Sequence, residues 1–413
     1  MSEQVDVVVV GAGIAGSALA RVLVRGGLQV LVLEHETTYR DKVRGENMPP
    51  WGVLEMHKLD IEQVLLDAGG HYIARAVQYD EVLSREASEA RVFPVSQLLP
   101  GARGSFDAGH PQACEALNRA AALAGARVLR GVDNVRVQVG SAPAVAYSHE
   151  GKEYTVRCRL VVGADGRQST VRKQFGLALS ETEPRTNAAG LLVQGLNDYP
   201  SDAMMIGTES DVYYLIFPRA GGVARLYLMW NVANKNRFAG AEGARRFLDA
   251  FRLRCLPYGE AIAQAEPIGP CATYPMYDTY MDQPFVEGGV LIGDAAGWND
   301  PIIGQGLSIA MRDARIVSEI LLADTQHWSP NMFTPYAVER TERLRRLRIS
   351  ARLTTDMRAT FTPAGAARRA IWFTKMMEDP LLAAAALCPL VGPEAMPAEG
   401  FEPAAIERAL ALQ

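Results

Sequence analysis

The sequence predicts an α/β fold: a three-layer, Rossmann-like nucleotide-binding domain with an inserted mixed or antiparallel β-sheet domain and helices at the carboxyl end. A valine-rich strand over Val5–Val10 runs directly into a Gly-x-Gly-x-x-Gly turn and a helix, the opening of a parallel βαβ unit. Buried-strand patterns return over 153–162 and at Val290–Ile292, each followed by a glycine-containing loop. Between them, residues 186–232 change to alternating and aromatic strands. Residues 1–70, 108–185 and 270–330 are therefore assigned to the nucleotide-binding domain, 71–107 and 186–269 to the inserted domain, and 331–413 to a helical region.

The 413 residues suffice for two domains, and 48% hydrophobic with 22% charged residues is the balance of a globular enzyme. A net charge of −5 leaves no basic excess to displace counterions from phosphates, so no nucleic-acid partner is expected. No low-complexity or charge-saturated stretch points to disorder. Five separated cysteines without a C-x-x-C pair argue against a disulfide framework or a zinc site and fit a reducing cytoplasm; no metal is expected. No apolar run reaches spanning length, and the amino terminus lacks a basic signal-type region.

Along the chain, Val5–Val10 is apolar on both faces, as a central parallel strand must be. Ile14–Arg25 has helical spacing with Arg21 and Arg25 outward, and Gly26 and Gly27 end it. Gln29–Leu33 reads as the next strand, with Glu34 at its carboxyl end. Residues 44–52 form a Gly/Pro loop before a short helix, and 71–107 are strand-like with turns. Gln112–Ala124 is helical, while 127–139 and 153–162 are strands. Val212–Phe217 and Ala224–Asn231 flank Pro218–Gly222 as a hairpin. Residues 242–255 and Gly304–Leu322 are helical, and an arginine-rich helix runs from Asn331 to about Thr360, with two or three more behind it. Its arginines alternate with Glu339 and Glu342, which fits a solvated or domain-facing helix better than a surface for an acidic partner.

The three glycines of the first turn have separate duties. Gly11 permits the tight turn, Gly13 lets backbone approach a pyrophosphate, and Gly16 lets helix pack on strand. The helix start at Ile14 and Ala15 offers unpaired N–H groups to phosphate oxygens. Glu34, 18 residues past Gly16, can accept both ribose hydroxyls, which disfavours a 2′-phosphate. The nucleotide expected is FAD or NAD.

Two later motifs decide between these: Gly-Ala-Asp-Gly-Arg-Gln-Ser-Thr-Val-Arg at 163–172, and Val-Leu-Ile-Gly-Asp-Ala-Ala-Gly-Trp-Asn-Asp-Pro-Ile-Ile-Gly-Gln-Gly at 290–306. With the three motifs in this order, the sequence over about residues 5–325 resembles the single-component (group A) FAD-dependent monooxygenases of the para-hydroxybenzoate hydroxylase-like superfamily. Flavin-dependent halogenases, epoxidases and geranylgeranyl reductases belong to the same superfamily. The resemblance implies FAD as cofactor, NADH or NADPH as electron donor and dioxygen as co-substrate. It places Arg44 near the FAD pyrophosphate, Gln112 near the ribityl or phosphate region, and Asp165 in a second nucleotide signature to which Arg172 adds charge. Relatives often carry an arginine where this chain has His110. Asp294 follows a buried strand, where it can accept a hydrogen bond from the ribityl chain. Gly304 and Gly306 keep side chains off the ring, and the helix start at Leu307 turns its positive end toward an anionic reduced flavin. Pro301 fixes the loop beside the isoalloxazine and offers only its carbonyl.

No Ser/His/Asp triad or metal-spaced cluster appears, so the chemistry is expected to belong to the cofactor. The resemblance implies insertion of one oxygen atom into a hydrophobic, aromatic small molecule through a flavin C4a-hydroperoxide, which demands exclusion of water. Candidate pocket walls are Tyr213, Leu215 and Phe217 on one strand face and Leu226, Leu228 and Trp230 on the partner strand, with Met48 and Trp51 as lesser contributors. Such stripes equally suit plain core. Halogenases carry Gly-Trp-x-Trp-x-Ile-Pro where this chain has Val212-Tyr213-Tyr214-Leu215-Ile216-Phe217-Pro218, without either tryptophan, which disfavours halogenation. A double-bond reductase of the same superfamily would consume no oxygen. A non-catalytic flavin-binding protein would show no substrate-stimulated NAD(P)H oxidation. A monomer or homodimer without membrane attachment is expected.

Overall fold

The computed structural model describes residues 3–43 and 45–412. A six-stranded sheet runs in the order 285–286, 289–291, 160–163, 7–10, 30–34, 127–130. Its pairings are parallel except at the Phe285–Val286 edge. Val7–Val10 lies inside the sheet and is buried along its whole length, which is why four consecutive valines suit it. Val7 and Val9 face the helices Ile14–Arg25, His110–Ala124 and Gly306–Ala323, meeting Leu19, Leu117 and Ala314. Val8 and Val10 face Val145, Tyr147 and Val156 of a four-stranded sheet built from 3–4, 152–157, 144–149 and 133–138. Helices, parallel sheet and covering sheet are the three layers.

Two expected strands each prove to be a pair. Of 127–139, Arg127–Arg130 stays in the parallel sheet and Asp133–Gln138 crosses to the covering one, with Gly131 at φ 72° between them. Of 153–162, Lys152–Arg157 covers and Leu160–Gly163 is parallel.

A seven-stranded sheet runs 266–267, 186–194, 223–231, 212–219, 203–209, 75–78, with 272–276 also on the outer edge of 186–194. Residues 272–276 therefore fall outside the nucleotide-binding segment to which 270–330 was assigned. Pro275 interrupts their strand pattern in the sequence, and an edge strand tolerates it. Of 71–107, only 75–78 joins this sheet as a strand, because Ser105–Asp107 pairs with Asn47–Met48 on one side and with His71–Ile73 on the other in a small antiparallel sheet of their own. Phe247, Leu248 and Ile262 of two short helices close one face of the seven-stranded sheet. The opposite face meets the Pro301–Ile303 turn and the end of the long helix.

The long helix is Thr334–Arg358, followed by Pro363–Lys375, Pro380–Val391 and Pro403–Leu410. Each carries proline in its first turn, where the missing N–H costs nothing. They pack through Leu344, Leu347, Met357, Trp372, Leu382 and Cys388. Among the described residues no helix is long and apolar enough to cross a membrane.

Candidate active site

The first turn is shaped by what its glycines touch. Gly11 has φ 101°, and a side chain there would strike the backbone of Ala164 and Asp165. One at Gly16 would strike the Gly11 carbonyl, whereas Gly13 faces open space. The helix that follows has no side-chain cap, so the N–H groups at Ile14 and Ala15 are left to face the cradle formed by the turn. Glu34 lies beside it, accepting from Ala12 N at 2.6 Å and Glu36 N at 2.8 Å. Tyr39 donates to Ala12 O at 2.6 Å and holds the turn from outside.

A second cradle lies past the Gly289–Leu291 strand. Asp294 stands in a single 3-10 turn and accepts from Arg167 Nε at 3.1 Å. Arg340, fully buried on the long helix, donates to the carbonyls of Gly293, Ala296 and Gly297 at 3.2, 2.8 and 2.9 Å and to Asp313 Oδ2 at 3.0 Å. Asp313 also accepts from Gly293 N at 2.9 Å and Arg343 at 2.7 Å. Burial alone would raise the Asp313 carboxyl, but Arg340 and Arg343 hold it below its ordinary range. Sequence reasoning gave these arginines no role at the site. The available signal was their three-residue spacing, which places both on one helix face.

The chain then turns through Pro301–Ile303, Gly304 at φ 63° and Gly306, whose Cβ position is open. The Gly306–Ala323 helix also starts without a side-chain cap. Leu307 is half-buried in its first turn. The Gln305 side chain is engaged elsewhere, accepting from Trp51 Nε1 at 2.8 Å and donating to Pro389 O at 3.1 Å. Trp51 is thus a brace of this turn and not a pocket wall.

Three expected contacts are corrected. The Asp165 carboxylate is used locally, accepting from Thr170 N at 2.7 Å, Val171 N at 3.1 Å and the Ser169 hydroxyl, so it caps a short helix. Its backbone, packed on Gly11, is what it gives the site. Arg172 is buried and donates to Ala295 O at 2.9 Å and Arg167 O at 3.2 Å, tying the two later motifs together. Met48 is 1% exposed within the core of the nucleotide-binding half, with no open side toward a substrate.

Arg44 lies outside the described residues. The loop around it is anchored on both sides, since buried Arg225 donates to Glu46 at 2.7 and 2.8 Å and to Asp41 at 2.6 Å. Gln112 is exposed in the first turn of His110–Ala124. His110 opens that helix with its ring against Gly45, and burial lowers its pKa although the Gly45 backbone works the other way.

Register decides which strand faces form the chamber. Tyr213 pairs with Met229, Leu215 with Tyr227 and Phe217 with Arg225, and directly paired residues point to the same side. Leu226, Leu228 and Trp230 therefore lie on the opposite face, and Trp230 is no chamber wall. Its ring meets Phe238 edge-on at 4.9 Å and its Nε1 donates to Asn234 O at 2.6 Å. Tyr213, Phe217, Tyr227 and Met229 instead share one apolar cluster with Ile302, Ala351 and Ala359. Around it Met204, Ile206, Leu215, Ile303 and Phe361 are partly exposed, so the candidate chamber is this apolar face where the sheet meets the Pro301–Ile303 turn and the end of the long helix.

FAD needs an anion cradle for its pyrophosphate, a carboxylate for its ribose, an acceptor for its ribityl chain and bare backbone beside its ring. The open Gly13 position, Glu34, Asp294 and the open Gly304 and Gly306 positions fit those needs in turn. The fold and site thus define an FAD-dependent oxidoreductase. The family model described as FAD binding domain matches residues 4–349, and the chain belongs to that family, the para-hydroxybenzoate hydroxylase-like group A flavoprotein monooxygenases. It is 29% identical to digeranylgeranylglycerophospholipid reductase 2 of Methanococcoides burtonii, over 78% of this chain and 75% of that protein. It is 26% identical to squalene epoxidase 3 of Arabidopsis thaliana, over 77% of this chain and 60% of that protein. Its fold is similar to that of p-nitrophenol 4-monooxygenase PnpA from Pseudomonas putida, with TM-score 0.79 and 18% identity, covering 94% of this chain and 99% of that one.

Proposed function

We propose that this chain inserts one oxygen atom from dioxygen into a hydrophobic, aromatic small molecule, with NADH or NADPH as reductant. The observation that supports the reading is the apolar face over the motif: partly exposed Ile206, Leu215 and Phe361 adjoin Ile302 and Ile303 of the turn that follows the Asp294 motif. FAD, when bound, supplies the electron transfer and oxygen activation. The protein's part is placement and electrostatics. The uncapped start of the Gly306–Ala323 helix favours negative charge beside it. Tyr213, Phe217, Tyr227 and Met229 exclude water from one side. Burial, with the like charge of Asp278, pushes the Asp300 carboxyl up to about 7, so it takes up a proton next to Pro301 as pH falls through neutrality.

A second reading is favoured by the similarity to a protein named as a reductase: oxygen-independent reduction of a double bond. The test is turnover with NADH and NADPH, with and without oxygen, over a panel of phenols, indoles and isoprenoid alkenes. Products heavier by one oxygen support the proposal. Turnover of an alkene without oxygen overturns it in favour of the reductase.

A further inference from the structure

Arg358 ends the long helix at one edge of the chamber. Its Nη2 donates to Gln78 Oε1 at 3.0 Å, and its Nη1 is buried with no acceptor. Thr208 Oγ1 donates to its carbonyl at 2.8 Å and fixes its backbone. The guanidinium carbon stands 5.9 Å from the Tyr213 ring centre, 5.6 Å from Trp372 and 5.3 Å from Phe373. Gln78 is in register with Ile206, and Thr208 with Tyr213, so the guanidinium lies over the chamber side of the sheet.

No carboxylate stands within ion-pair distance of Arg358 among the described residues. The acidic groups of the neighbouring strand end are already matched. Asp80 accepts from Arg369 Nε at 3.0 Å, Thr208 N at 3.1 Å and Val82 N at 3.3 Å, and Glu81 accepts from Arg369 Nη2 at 2.7 Å. The aromatic rings and the helix's last carbonyls offset the cost of placing a cation here, but they leave N–H donors unmet. A guanidinium fork matches a carboxylate with two parallel hydrogen bonds. We propose that Arg358 is the carboxylate-recognition residue of the chamber, so that the substrate is an aromatic or otherwise apolar carboxylic acid.

The inference rests on the chamber being the substrate site. Its test is binding of 2-naphthoate, indole-3-acetate and cinnamate, each against its primary amide, to the FAD-loaded protein by calorimetry. The wild type should bind the acids about tenfold tighter than the amides, as a charge-assisted pair implies. Arg358→Gln should abolish the preference by weakening the acids alone, and Arg358→Lys should retain part of it, which keeps the test open if the glutamine variant does not fold. A wild type without preference, or a charge-neutral variant that keeps it, overturns the proposal. Oxygen uptake is read separately. Acid preference without ligand-stimulated oxygen consumption removes the monooxygenase reading and leaves Arg358 standing; oxygenation of amides and acids alike does the reverse.

Discussion

Arg167 and Asp294 join the second and third motifs through a 3.1 Å hydrogen bond, 127 residues apart in sequence. The carboxylate assigned to the cofactor's polyol is thus held in place by a guanidinium that also lies 5.1 Å over Trp298. Asp294→Ala removes the acceptor and should weaken FAD binding about tenfold or more. Arg167→Gln removes only the support and should cost less. Flavin fluorescence released on dilution measures both. Undiminished FAD retention in Asp294→Ala would count against its role.

The two inner glycines of the first turn should fail differently. A methyl at Gly13 enters open space at the cradle, whereas one at Gly16 meets the Gly11 carbonyl. Gly13→Ala should melt within about 1 kcal/mol of wild type yet bind FAD poorly. Gly16→Ala should lose several kcal/mol, roughly 2–4, through overpacking of helix on strand. Thermal melts of the cofactor-free proteins beside FAD titrations separate the two effects, and equal behaviour would refute the cradle.

The glycine turn, Glu34 and the strand–helix order were legible because neighbouring residues alone determine them. Asp165 and Arg340 were not. The same aspartate after a strand can face a ligand or cap the next helix, and only the 163–172 backbone path decides. Arg340 sits in a helix that reads as charged throughout, and its burial depends on the Gly293–Gly297 carbonyls brought to it by tertiary packing. Period-two alternation located both stripes of the hairpin, but whether they share a face depends on register. The Tyr213–Met229 pair puts Trp230 on the far side.

Arg340 should be among the costliest single positions outside the cofactor cradle. Removing its guanidinium leaves Asp313 without one of its two buried countercharges and frees three loop carbonyls. Arg340→Ala should lose about 3–5 kcal/mol, with FAD affinity falling in parallel as the Asp294 turn loosens. Urea unfolding with and without FAD measures this. Stability within about 1 kcal/mol of wild type would contradict the brace.

Leu215 and Trp230 should separate chamber from core. Leu215 is half-exposed on the chamber face, and Trp230 is 1% exposed on the other. Leu215→Phe should change KM and the preferred ring size with little effect on melting. Trp230→Ala should cost about 3–5 kcal/mol while the properly folded fraction keeps its KM. The reverse pattern would mean the faces are misassigned.

Asp300 should imprint a pH dependence on stability. Its carboxyl is pushed up to about 7, chiefly by burial and further by Asp278, while in the unfolded chain it titrates near its ordinary value of 3.8. Between those pH values the folded protein holds a proton that the unfolded chain has shed. Stability from this group is therefore complete below about pH 4 and is lost as pH rises through about 7. Asparagine cannot titrate, yet its Oδ1 can still accept from Ile302 N, as Asp300 does at 2.9 Å. Relative to wild type, Asp300→Asn should gain on the order of 1–2 kcal/mol between pH 5 and pH 8. Asp107, which burial also pushes up to about 7, adds a similar slope, but it is present in both proteins and drops out of the difference. Urea midpoints at pH 5, 6.5 and 8 read the gap directly, and a gap that stays constant would place the Asp300 titration at its ordinary acidic value.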